Sequence, residues 1–167
     1  MNEAHLHMLV NHFPIIGTIF GLGIMLGGFL YNNVSVKNTA YVLFITSAIF
    51  AFLSVRTGEG AEEIVEDMPA IGHKIIHEHE EIAEKFALVL YLLGITSVLG
   101  LYTNIRNHAK AKLVSYIVII LAVIGISLSV LVGNTGGEIR HTEIRSESNK
   151  TNPSDLMNNL ESEEHED

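Results

Sequence analysis

Nine histidines and 19 carboxylates hold most of the ionisable chemistry of this 167-residue chain, and it has no cysteine. Eight of the nine imidazoles, His5, His7, His12, His73, His77, His79, His141 and His165, fall in segments that also hold every Asp and Glu. Imidazole and carboxylate together are the donor set of non-haem transition metals, and imidazole alone is an axial ligand of haem. Without thiols, disulfides, iron–sulfur clusters, covalent haem and thiolate zinc sites are excluded. The candidates are therefore nitrogen and oxygen ligands.

Three stretches bring such groups to helical spacing. The first is His7-Met-Leu-Val-Asn-His12-Phe-Pro14, directly before a long apolar run, where an ionisable ring at headgroup depth is a functional candidate. The second is a stripe of His73, His77, Glu80, Glu81, Glu84 and Leu88 at 100° per residue, with His79 on the opposite face. His77 with Glu80, Glu81 or Glu84 has the reach and spacing of metal ligands on one helix face. The third is Glu138-Ile-Arg140-His141, whose Glu-x-x-His spacing supplies two ligands in ferritin-like bundles if helical. Paired Gly136 and Gly137 make a loop equally compatible. Arg56 and Glu59, around the Thr57-Gly58 step, either support the site or form a local ion pair.

Four uncharged stretches must position these groups. No Asp, Glu, Lys or Arg occurs at 4–36, 38–55, 86–105 or 113–137. About 20 apolar residues cross a bilayer as a helix. The expected fold is thus all-α: an integral membrane four-helix bundle, residues 1–145, with spans near 9–31, 39–56, 83–104 and 112–133. Both termini are expected on the same side. A short amphipathic helix at 61–68 is expected on the membrane surface, stopped near Pro69. Residues 146–167, rich in Ser, Asn and Glu, read as a disordered acidic tail. The N-terminus lacks the basic start of a cleavable signal. The glycines at 17, 21, 23, 27 and 28 have the small-xxx-small spacing of close helix contact.

Charge gives a direction. The segments 31–38 and 103–112 contain Lys37, Arg106, Lys110 and Lys112 and no acid, whereas the other side holds all 19 acids against six bases. Basic short loops mark the cytoplasmic side, so a bacterial inner membrane with extracytoplasmic termini is expected. A faint internal repeat adds weight to a shared site. Thr57-Gly58-Glu59 and Thr135-Gly136-Gly137-Glu138 end helices 2 and 4, and His12 and His77 stand near the starts of helices 1 and 3.

At these residues the chain resembles an uncharacterised bacterial four-span membrane family that opens with His-Pro-x-x-Val-His-Phe-Pro-Ile and closes with Gly-Gly…His. Here the opening reads His7-Met8-Leu9-Val10-Asn11-His12-Phe13-Pro14-Ile15 and the close Gly136-Gly137-Glu138-Ile139-Arg140-His141. Met8 replaces the family's proline and Asn11 displaces its valine. The resemblance implies the membrane fold and a redox or cytochrome-linked setting, and it favours His7, His12 and His141.

The functional expectation is a small membrane redox or metal-binding protein with its site at the extracytoplasmic mouth. Haem b would use His12, His77 and His141; iron, copper or zinc would use these with His7, Glu81, Glu84 and Glu138. Arg56, Glu59, His73 and Arg140 would support either. A proton or divalent-cation transport subunit, and a non-catalytic accessory or assembly subunit of a membrane complex, are the competing classes. The expected partners are the lipid bilayer, a redox or membrane-complex protein and a second copy of the chain. The acidic charge excludes nucleic acid. No nucleophile elbow, phosphate loop or dinucleotide fingerprint occurs.

Overall fold

A computed structural model describes residues 2–65, 73–141 and 144–145. It contains α1 (Glu3–Val10), α2 (His12–Leu30), α3 (Val34–Val65), α4 (His73–Ile105) and α5 (Ala111–Arg140), and no strand occurs among the described residues. Four helices are long and apolar enough to cross a membrane, with α1 and α2 counting as one. In each apolar window only 22–39% of the residues are buried. The outer surface is therefore hydrocarbon, exposed at Phe20, Phe52, Leu88, Ile95, Ile120 and Val130 among others. Such a surface is stable against lipid, not water.

The break between α1 and α2 follows from Pro14. Its ring clashes with the carbonyl four residues back and its nitrogen donates nothing, so an unbroken helix through Val10 is disfavoured. The chain turns at Asn11, and Pro14 falls in the first turn of α2, where it is tolerated. Asn2 caps α1 by accepting from the His5 amide at 3.0 Å. Segment 61–65 differs from expectation: it continues α3 without interruption, and no separate surface helix forms among the described residues. Residues 66–68 and Pro69 lie outside the described part, as does the 146–167 tail.

The spanning helices form a closed ring, α2 against α3, α3 against α4, α4 against α5 and α5 back against α2. Buried positions trace one stripe per helix. Pro14, Thr18, Gly21, Met25 and Gly28 line α2, and Phe86, Ala87, Leu90, Gly94 and Ser97 line α4. Small residues let the backbones approach, which in lipid is the main source of association. A Cβ on Gly94 would stand 2.6 Å from Ala48 Cβ, and one on Gly21 would stand 2.6 Å from the Phe44 ring. Gly23 and Gly27 face open space instead. Polar interior groups are satisfied at the end holding the tight turns. Ser115 Oγ donates to Ala111 O, so the Tyr41 hydroxyl, 2.9 Å away, donates to Ser115. Asn104 Nδ2 donates to Asn38 Oδ1 at 3.0 Å.

The two tight turns are copies of each other. Asn32 and Asn107 adopt φ of 48° and 49°, the left-handed conformation that asparagine tolerates best among non-glycines. In one turn the Asn33 amide bonds Gly28 O and Asn32 bonds Phe29 O; in the other His108 bonds Thr103 O and Asn107 bonds Asn104 O. Both are Schellman closures of the preceding helix.

Replacing Gly94 with Val should lower stability by about 1–3 kcal/mol through overpacking, read as a lower melting temperature by circular dichroism in mild detergent. Gly23→Ala should melt like the parent chain, and equal melting of both variants would mean the α3–α4 contact is not tight.

Candidate functional site

The sequence places imidazoles near the starts of helices, but not all of them turn inward. The stripe of His73, His77, Glu80, Glu81 and Glu84 is exposed, and it continues into Leu88, which is also exposed. His77 meets Glu80 at 3.7 Å and Glu81 at 3.5 Å, and Lys85 meets Glu81 at 3.3 Å. These are solvated pairs one turn apart on a single helix, each contributing a few tenths of a kcal/mol at most, about the level of other exposed helix pairs. Arg56 and Glu59 form the local pair at 3.4 Å, also exposed. His12 is exposed, its Nδ1 3.2 Å from Met8 O. His141 is exposed too. It caps α5 in extended conformation (φ −102°, ψ 93°), while Glu138 is still helical. The Glu-x-x-His spacing therefore does not put both groups on one helical face. α5 runs through Gly136 and Gly137 to Arg140, whose side chain is outside the described part. Among the described residues no group of three or more His, Asp or Glu is placed to hold a metal ion.

Two histidines are instead drawn between helices. His7 is half-buried on α1, with Nδ1 3.0 Å from Ser54 O and 3.3 Å from Thr57 Oγ1 on α3. His79 is half-buried on α4, with Nδ1 2.9 Å from Thr135 Oγ1 on α5. Each threonine directs its hydroxyl at its own helix backbone, Thr57 to Leu53 O and Ser54 O, Thr135 to Leu131 O and Val132 O. With its one proton so committed, the threonine oxygen can only accept from the imidazole. Nδ1 therefore carries the hydrogen in both rings, and the lone pair of the neutral ring is on Nε2.

The glycine after each threonine gives the ring room. A Cβ on Gly58 would stand 3.4 Å from His7 Cε1, and one on Gly136 would stand 3.0 Å from His79 Cε1. The two arrangements match: histidine from the preceding helix, threonine as acceptor, glycine as floor. The repeat in the sequence is thus expressed through His7 and His79, not through His12 and His77.

Both rings lie N-terminal to the spans expected near 9–31 and 83–104, at the end of the bundle that holds Thr57 and Thr135. Burial lowers the pKa of each, the largest effect in both cases. His7 is raised somewhat by its bond to Ser54 O and lowered by the neighbouring His12 charge; His79 is lowered further by His7. His7 is thus the charge neighbour that acts on His79. One helical turn beyond His7, Asn11 Oδ1 is buried without a hydrogen-bond partner. An unmet acceptor at that depth costs free energy and marks a place where a donor fits.

Arg145, which sequence reasoning assigned no role, is buried and closes the same end. Its Nε donates to Glu138 O at 2.8 Å and Nη2 to Ile139 O at 3.1 Å, satisfying the last carbonyls of α5. No family model, curated protein or solved structure matches the chain.

The lowered values set a pH dependence. Above the ordinary histidine pKa of about 6.5 both folded and unfolded chains hold these rings neutral, and the burial is at its most favourable. As pH falls from there toward the depressed folded values, the unfolded chain takes up protons first, so stability declines. Melting in detergent should therefore fall between pH 7 and 5, and the His7→Gln/His79→Gln variant should lose less over that interval. A parent chain with equal melting across it would show that these rings are not buried.

Proposed function

We propose that this chain is a small membrane redox protein in which His7 and His79 offer a pair of neutral imidazoles to non-covalent haem b. The single observation that carries the reading is the shared setting of the two rings, each with Nδ1 within hydrogen-bond distance of a threonine hydroxyl that precedes a glycine. Each ring is held through Nδ1–H by a threonine, which leaves Nε2 as the basic nitrogen. An outer hydrogen bond of this kind fixes ring orientation and raises ligand basicity at metal-ligating histidines.

The donor set suits a group that needs two protein ligands. Haem b would be held by the His7 and His79 imidazoles and needs no cysteine. A non-haem ion with three or four His and carboxylate ligands is less well matched, because among the described residues no three His, Asp or Glu groups are placed to hold one. When bound, haem supplies one-electron transfer. The chain's own residues do the positioning. Thr57 and Thr135 orient the rings, Gly58 and Gly136 admit them, and burial keeps them unprotonated and ready to ligate. Asn11 Oδ1 offers an acceptor to a donor group in the same region. In this reading the basic turns face the cytoplasm of a bacterial inner membrane and the histidine end faces out.

The test is absorption spectroscopy on full-length protein made with haem supplied and purified in mild detergent. The parent should show the intense blue-violet band and the sharp paired visible bands of six-coordinate, low-spin haem. His7→Ala and His79→Ala should each abolish the low-spin signature, whereas His12→Ala, His77→Ala and His141→Ala should retain it. Thr135→Ala should keep haem but weaken its retention, by about 10-fold or more as outer-shell losses do. Haem-free protein, or an unchanged spectrum in the His7 and His79 variants, would falsify the assignment.

A further inference from the structure

The opposite end of the bundle holds a cleft of about 480 Å³ between the two tight turns, within the size range of small-molecule sites. Lys37, Lys112, Asn104, Asn107 and His108 are among its lining residues. No acid occurs in either turn segment, and neither Lys37 nor Lys112 forms an ion pair among the described residues. The Lys37 stem is set by packing, since a Cβ on Gly28 would stand 2.9 Å from its Cγ. His108 Nδ1 accepts from the Lys110 amide at 3.1 Å, so its neutral ring carries hydrogen on Nε2 as a donor. The first turn of α5 begins at this cleft with no side-chain cap, and its amides add positive potential. Donors and cations converge here without a protein anion to answer them.

We propose that this cleft binds a phosphate-bearing anion, with Lys37 and Lys112 as charge partners and His108 and Asn107 as hydrogen-bonding groups. Its surroundings bear on the source of the phosphate. Leu30, Tyr31, Ile105 and Leu113 around it are exposed and apolar or aromatic, which sets the cleft at headgroup depth. Basic pockets between spanning helices at that depth suit anionic lipid headgroups. A free phosphate would satisfy the same donors, and the experiment separates the two.

Full-length protein in mild detergent would be titrated with phosphatidylglycerol and phosphatidylcholine by native mass spectrometry, and with inorganic phosphate by calorimetry. Phosphatidylglycerol should be retained at least 10-fold better than phosphatidylcholine. Retention should fall about fivefold in Lys112→Gln and about 25-fold in Lys37→Gln/Lys112→Gln, following the usual contribution of a lysine near a charged headgroup. Lys74→Gln/Lys85→Gln, which removes equal charge from the other end, should bind like the parent. Inorganic phosphate binding that Lys112→Gln weakens, without lipid preference, supports the site with a free anion as its ligand. Should the double variant fail to fold, Lys112→Gln decides alone, since that side chain is exposed. Equal retention of both lipids together with no phosphate binding, or equal losses in the Lys74/Lys85 control, overturns the proposal.

Discussion

The structure turns on the cost of placing two imidazoles at the end of an interior without a charged side chain between the two ends. A buried ring nitrogen without a partner costs on the order of 1–3 kcal/mol. Thr57 and Thr135 remove that cost by accepting from Nδ1, and can do so because their own protons are spent on the helix backbone. The requirement explains why α3 and α5 run past their apolar stretches. Thr57 and Thr135 must be presented on rigid backbone above the membrane-crossing segment, with a glycine next to each. It also explains α1. The break at Asn11 leaves α1 beside the end of α3, where His7 reaches Ser54 and Thr57 and Glu3 packs against Gly60.

The halves of the bundle solve this problem twice. His7, the Asn32 turn and Thr57 correspond to His79, the Asn107 turn and Thr135, with the same hydrogen-bond pattern in both turns. The match joins a backbone feature at one end to a side-chain feature at the other, so it extends over the whole length of each hairpin. A pair of equivalent imidazoles is a natural product of such a repeat. It supplies two rings in the same hydrogen-bond setting from opposite hairpins, whereas a mixed His/Glu cage would need the halves to differ.

The bundle was legible because charge is absent from four long runs, and that depends only on the cost of charge in lipid. The site was not legible in the same way. In a soluble bundle, an apolar face points inward, so a His/Glu stripe ending in Leu88 would seem to lead into the core. In lipid the outer face is apolar too, and that rule fails: Leu88, Leu92, Ile95 and Leu99 are all exposed. Small residues mark the interior instead. His79, Ala83, Ala87, Leu90, Gly94 and Ser97 follow one helical stripe, and His7 stands in the same relation to Asn11, Pro14, Thr18 and Gly21. Tracing small residues back from the spans leads to both site histidines. The Glu138-x-x-His141 pair could not be resolved from spacing, because only the backbone decides whether His141 is still helical.

The two ends are chemically opposite, and the interior between them is poorly suited to connecting them. Thr18 donates to Pro14 O, Ser47 to Leu43 O and Ser129 to Ile126 O, each within its own helix, while Ser97 Oγ has no partner. A proton or cation crossing the bundle would need groups that exchange partners along the way. The hydroxyls of Thr18, Ser47 and Ser129 are committed to their backbones, and close contacts at Gly17, Gly21, Gly94 and Gly100 leave little width beside them. Chemistry at the histidine end is therefore best served from its own side of the membrane. That weighs against passage through the protein, and the haem-binding reading proposed above requires none. The lysine end would then act on position and orientation alone, holding the bundle at a fixed depth through the headgroups it meets.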